Sequence, residues 1–403
     1  MSAPRGASRA PREWRTHNVV GVSLASLLSD AGHEMITALL PGFLLTLGAP
    51  PIGLGLIEGV SSFTFSVGEI WGGDRADALR DRAPLVYAGY ALTALKALIA
   101  IVPTWPWIIL IRTVAWVGRG WRGPLRDAMI ADEVPEEVRG KAYGFREALD
   151  TTGAALGPLL AALLVGQLHY RLLIGLSVVP AILTIIVVIA LVHEIPHRLT
   201  QPLSTASLFE ARYPGPFVRY AVGAGIFAIG YVAPTFFILR ATRILETHGS
   251  AFLVASGFAI GLYTVHNICY ALASFPSGSL ADRLPPKRLL GVGYLAWTAV
   301  LLAFAAGPSQ IYLLGILFVV SGTATGLIEP VQTTWSAQLL PVAVRGRGLG
   351  LFSGIGGFGN LVSGIVFGLI WTGSAAGPAF VAAAVMALAG AVIVSTVPVG
   401  ARE

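Results

Sequence analysis

Charge is what this chain of 403 residues has least of: Asp, Glu, Lys and Arg supply 12% of it, against about 25% in a typical soluble domain. Most of its surface is therefore not built for water. The single cysteine, Cys269, excludes an intramolecular disulfide. Lysine occurs three times, at 96, 141 and 287, and never inside the G-x-x-x-x-G-K-[ST] pattern with which a phosphate-binding loop holds ATP. Uphill work must then draw on an ion gradient. Motifs for a catalytic nucleophile or a bound cofactor are lacking too, so neither an enzyme nor a cofactor is expected. One zinc-like pattern, HEIPH at 193–197, fits H-E-x-x-H by letter, but Pro196 falls inside the turn that would have to align both histidines, so no metal is expected.

What abounds is apolar sequence. Hydrophobic residues make up 55% of the chain, and the mean hydropathy is +0.74. Twelve apolar segments recur, at about 19–47, 52–72, 84–102, 106–131, 142–166, 172–192, 217–240, 251–275, 288–306, 309–334, 347–371 and 377–398. Each approaches the ~20 residues a helix needs to cross the hydrocarbon core. Helices are expected because they satisfy their own backbone hydrogen bonds in lipid. The basic N-terminus leads into an apolar run too long for a signal peptide, which points to a first span instead of a leader. Stretches assigned to one side hold 21 of the 27 lysines and arginines, whereas the opposite loops hold Arg171, Arg240 and Arg243. The positive-inside rule then places both termini and the 193–216 connection in the cytoplasm of a multi-pass inner-membrane protein. The net charge of +6 is a topology signal, and nucleic acid is not expected as a partner.

The chain also repeats itself. Gly73 and Asp77 recur as Gly278 and Asp282 at an offset of 205; Pro124, Pro135, Gly144 and Gly153 recur as Pro330, Pro341, Gly350 and Gly359 at an offset of 206. This ordered series predicts an all-α membrane protein of two pseudo-symmetric six-helix bundles, residues 1–192 and 217–403, joined by 193–216. The bundles form a parallel repeat about an axis along the membrane normal.

Over nearly its whole length the chain resembles the major facilitator superfamily. That family's loop after the second helix, roughly G-x-x-x-D-R-x-G-R-R, is kept as GSLADRLPPKR at 278–288, with Gly278, Asp282 and Arg283. The first copy, GGDRADALRDR at 72–82, keeps Gly73 and Asp77 but has Ala78 and Arg80 where Arg and Gly are usual. The resemblance implies that each Asp braces a cytoplasmic gate. In the fifth segment Gly144, Gly153, Gly157 and Pro158, followed by Ala161-Ala162, fit the spacing G-x8-G-x3-G-P-x2-G-G of the antiporter branch, small residues replacing the last pair. The resemblance therefore implies a monomeric secondary transporter that exports a small molecule by proton antiport.

The remaining puzzle is SDAGHEMITALLP at 29–41, charges in the middle of the first apolar run. A charge at membrane depth costs about 2.5–3.5 kcal/mol or more and by default marks function. Asp30, His33 and Glu34 share one helical face with Thr37 and Pro41. On the fourth segment Arg112, Arg119, Arg122 and Arg126 fall within an arc of about 80°. Glu58 and Glu69 on the second segment, Lys96 on the third, and Arg146, Glu147 and Asp150 on the fifth nearly balance the charge, which suggests pairing. The second half adds little beyond His266 and Glu329. Asp30 and Glu34, modulated by Arg112, are the candidates for proton coupling, since a carboxylate beside arginines binds a proton according to its solvation. His33, Glu58, Arg119, Arg122, Arg126, Glu147, Asp150, His266 and Glu329 are candidates for the substrate cavity; the three lower arginines could equally pair with Glu147 and Asp150. Two other readings remain open. Asp30, His33, Glu34 and His266 could ligate an exported metal ion, with the arginine stripe suiting an anionic metal chelate. A non-transporting receptor could also use this architecture.

Overall fold

The structure, a computed structural model, describes residues 14–76, 78–194, 212–308 and 310–398, with the side chains of Ser279, Asp282 and Ala343 excepted. The gate aspartate Asp77, the side chain of Asp282 and residues 195–211 of the connection lie outside what is described. Among the described residues there is no strand, and the helices group into twelve spans. The first half has α1 (His17–Thr46), α2 (Pro51–Ala76), α3 (Ala83–Ala94) continued by a 3-10 turn (Leu95–Ile101), α4 (Pro106–Glu133), α5 (Glu136–Leu164), and a sixth span made of α6 (Tyr170–Leu176) and α7 (Val178–Leu191). The second half has a seventh span made of α8 (Gly215–Gly230) and α9 (Pro234–Thr247), then α10 (Phe252–Arg283), α11 (Pro286–Ala306), α12 (Ile311–Gln338), α13 (Arg345–Gly373) and α14 (Ala376–Ser395).

Local chemistry explains several boundaries. The Thr16 side chain caps α1 by accepting from the Val19 amide at 3.2 Å, while its hydroxyl donates to Glu133 at 2.7 Å. Glu194 caps α3, its carboxylate accepting from the amides of Arg82 and Ala83 at 2.6 and 2.7 Å. The glutamate of the zinc-like run thus has an N-capping task. Pro234 has no amide to continue α8, so the seventh span breaks at 231–233 and resumes as α9. It then runs to Thr247, which puts Arg240 and Arg243 within a helix and not in the loop expected after residue 240.

Among the described residues eight spans are long and apolar enough to cross a membrane. The four that fall short, α1, α2, α4 and α5, carry most of the intramembrane charges. Packing follows the repeat: α1 on α5 and α7, α2 on α4, and α3 on α4 recur as α8 on α13 and α14, α10 on α12, and α11 on α12. The second bundle is fastened by aromatics, with Phe237 stacked on Phe304 at 4.7 Å and Trp297 against Tyr231 at 4.6 Å. The first is fastened largely by ion pairs.

The halves meet along two seams, α2 with α13 and α5 with α10. Near the Pro51 end the fit is close: the Ile52 amide donates to the Thr372 hydroxyl at 2.9 Å, and Tyr170 and Ser256 hydroxyls meet at 2.5 Å. A Cβ on Gly55 would overlap the Gly364 carbonyl. Gly55→Ala should therefore cost about 1–3 kcal/mol through overpacking, seen as a lower melting temperature in detergent. Gly315→Ala, where nothing lies within 4 Å of the new methyl, should leave melting unchanged or raise it slightly. Equal effects would overturn the seam assignment. Toward the other end Ser353 still reaches Glu69 at 2.6 Å, but Glu147 and Glu329 beyond it are exposed.

Candidate transport site

The packing of α5 on α1 sets the depth of the polar centre. Gly153 and Gly157 let α5 lie directly on the carbonyls of Leu27 and Ala31, positions where any Cβ would clash, and Pro158 and Ala161 are buried beside them. Gly144, the first glycine of the antiporter-like series, faces open space, as do Gly73 and Gly278, and Arg283 is exposed.

Asp30 is buried on α1 and gripped by both arms of Arg119, Nη1 to Oδ1 and Nη2 to Oδ2, the latter at 3.0 Å. A planar guanidinium fork matches a carboxylate in this way and fixes its orientation. The Asp150 carboxyl, presented by α5, lies close enough to Asp30 for the two to interact electrostatically. Arg112 does not meet this cluster as expected. It pairs with Glu58 of α2 at 2.9 Å and donates to the Ser61 hydroxyl at 3.2 Å, and the arginine next to Asp30 is Arg119. The reason is depth: Arg112 lies two helical turns further along α4 than Arg119, level with α2's glutamate.

The lower stripe is spoken for differently. Arg122 donates to Ser29 at 3.3 Å and lies 3.9 Å over the Tyr90 ring; Arg126 donates to Ser26 at 3.0 Å and to Asp127 at 3.1 Å. Glu147 pairs with Arg146 at 2.9 Å. Among the described residues none of Arg119, Arg122 and Arg126 forms an ion pair with Glu147 or Asp150, which the sequence had left open.

His33 sits between two charged groups. Its Nδ1 contacts Lys96 Nζ, and its Nε2 lies 3.5 Å from Glu34 Oε1. Glu34 Oε2 in turn accepts from the Tyr263 hydroxyl of α10 at 2.8 Å. Tyr263 was invisible as a site residue in the sequence, being one aromatic among many in an apolar span. Its place one turn before His266 on the helix across the seam was the only available signal. His266 turns away to Ser321 at 2.8 Å. Among the described residues no three His, Cys, Asp or Glu side chains converge as metal ligands. The quartet Asp30, His33, Glu34 and His266 does not come together, because His266 packs inside the second bundle against Ser321.

In the second bundle α8, α12 and α13 line a cavity of about 110 Å³ with Phe227, Tyr231, Phe352, Glu329, Gln332 and Asn360. Glu329 accepts from Tyr270 at 2.9 Å.

Twelve spans in two related bundles, a polar centre inside the membrane and a cavity beside the seam define a membrane transporter and not an enzyme. The chain belongs to the Major Facilitator Superfamily, whose sequence pattern matches residues 22–265 and 244–402. It is 29% identical over 357 residues to an uncharacterized MFS-type transporter of Methanocaldococcus jannaschii, covering 88% of each chain. It is 26% identical over 348 residues to the multidrug resistance protein MdtG of Serratia proteamaculans, covering 83% of this chain and 82% of that one. A solved structure of the nucleoside transporter NupG, a point mutant, superposes with a TM-score of 0.77 at 14% identity over 94% of this chain and 98% of that one. That likeness is one of fold.

Proposed function

We propose that this transporter exports a small molecule from the cytoplasm in exchange for protons, with Asp30, Asp150 and Glu34 as the proton-carrying groups. The observation that carries the reading is Asp30, held by both arms of Arg119, with the Asp150 carboxyl of α5 nearby. Two carboxyls close together are costly to ionise at once. A proton gained or lost there changes how one arginine divides itself between α1 and α5, the two helices on which the first bundle turns. Residues 1–192 and 217–403 then rock against each other along the α2–α13 and α5–α10 seams. Cargo binds between the cavity of α8, α12 and α13 and the charged face of the first bundle. The basic loops put the open end, with Glu147 and Glu329, toward the cytoplasm of the inner membrane, the protein acting as a monomer. Export is favoured over uptake by the antiporter-like spacing in α5 and by the multidrug resistance relative.

Purified protein in liposomes with a trapped pH dye, offered lipophilic cations, organic anions and nucleosides in turn, tests this. At least one class should move protons opposite to itself; flux should vanish when a protonophore collapses the gradient and ignore ATP. Substrate flux indifferent to the collapsed gradient would sink antiport.

A further inference from the structure

Once the close pairs of the first bundle are matched, Arg119 with Asp30, Arg112 with Glu58, Arg126 and Arg146 with Asp127, and Arg122 is set on Ser29 and the Tyr90 ring, the buried base Lys96 is left close to the half-buried acid Glu34. They do not touch. The His33 imidazole is inserted between them, one ring nitrogen toward each. An ion pair serving only stability would close directly, because an intervening ring forfeits most of the attraction.

We propose that His33 relays a proton between Lys96 and Glu34, and that the Glu34–Tyr263 hydrogen bond carries the outcome to the other half of the molecule. The inference rests on the proton-coupled reading above. In one state the Lys96 ammonium donates to Nδ1, Nε2–H points at the Glu34 carboxylate, and Tyr263 donates to the same carboxylate. In the other, a Lys96 proton has passed to Nδ1 and the Nε2 proton to Oε1. That leaves an amine, the opposite tautomer of a neutral imidazole, and a carboxylic acid. One proton enters the ring as one leaves it, the summed charge stays zero, and no co-reactant is needed. Neutral imidazole supports this because one nitrogen donates while the other accepts.

Both ends of the chain have somewhere to go. On the Lys96 side lies a small pocket of about 20 Å³ whose lining includes Ser29, Tyr90, Thr93 and Ser177 with Lys96 and His33. The buried Tyr90 hydroxyl there has no hydrogen-bond partner in the protein. Such a pocket has room for about one water, with these polar groups to hold it, and so for delivery of a proton. On the Glu34 side, Tyr263 belongs to α10, across the seam. A hydrogen bond to a carboxylate is roughly twice as strong as one between neutral groups, so protonating Glu34 slackens a tie between the halves. The other groups around this chain are Asp30 on α1 itself, and Arg112, Arg119 and Arg122 from α4.

Histidine-labelled full-length protein in nanodiscs gives a ligand-free test, the His33 nitrogen signals being assigned by their loss in His33→Gln. Both tautomers should appear across the pH range in which His33 is neutral, and Lys96→Met should freeze a single one. One tautomer at every pH in the wild type would overturn the relay. For the mechanical half, spin labels at Glu136→Cys and Val342→Cys, both exposed, in a Cys269→Ser background report separation of the halves. Their distance distribution should shift with pH and lose that shift in Tyr263→Phe, which deletes one hydroxyl, and in His33→Gln. A shift retained in both variants overturns the link to α10. Liposomes of wild-type protein with tautomer exchange intact but no proton flux would instead refute antiport.

Discussion

Arg119→Ala should abolish gradient-driven transport and cost roughly 3–5 kcal/mol of stability, because it strands a buried carboxylate without its counter-charge. Asp30 has a side chain only 4% exposed, and Arg119 is the group that holds both its oxygens. Asp30→Asn should be milder in stability, since the stranded arginine is 20% exposed and can turn to Asp150 or to water. It should be just as severe in transport, because an amide cannot take up the proton. Arg119→Lys keeps the charge but loses the fork; flux should fall at least tenfold while melting drops less than in the alanine variant. The decisive measurement is the double variant Asp30→Asn with Arg119→Gln. Neutral isosteres in place of a buried pair often restore stability, so melting should recover toward wild type while pH-driven flux does not. Pyranine-reported flux surviving in that double variant would reduce the pair to an interhelical clasp.

The twelve spans and the two bundles were legible because hydrophobic length and a 206-residue repeat are one-dimensional signals. That acids on α1 face arginines on α4 was legible too, from helical spacing. Which arginine meets which acid was not read, because spacing gives the face of a helix and not its height. Yet the height was recoverable. Asp30 lies 13 residues into α1 and Arg119 lies 14 residues before the end of α4, whereas Arg112 lies 21 residues before it. At about 1.5 Å per residue the first two stand level and Arg112 is about 10 Å away. Counting depth from the same membrane face would have chosen Arg119. The chain from Lys96 through His33 and Glu34 to Tyr263 depended on more: the 3-10 turn that carries Lys96 and the close approach of α10 are tertiary facts with no periodic trace. The α5 glycines illustrate the opposite case, where a motif suggested packing and Gly153 and Gly157 supply it against α1.

The Arg112–Glu58 pair makes a contrasting expectation, and the contrast separates a clasp from a coupler. Both side chains are buried, at 1% and 12% exposure, and Arg112 is further held by Ser61 and the Trp116 face. Glu58 has only one oxygen so engaged; its Oε1 is buried without a partner. Arg112→Ala should thus be among the most destabilising single changes in the first bundle, about 3–5 kcal/mol, leaving both a carboxylate and the volume of a long side chain unsupported. Glu58→Gln should cost less, because the amide still accepts from Arg112. If the pair fastens α2 to α4 without carrying protons, Arg112→Gln with Glu58→Gln should recover most of the lost melting temperature and keep the pH dependence of flux. The Asp30–Arg119 double variant should recover melting only. Comparing the two doubles in the same liposomes settles the assignment. Loss of pH dependence in the Arg112–Glu58 double at normal melting would make α2 part of the proton path and move the coupling site a full two turns along α4.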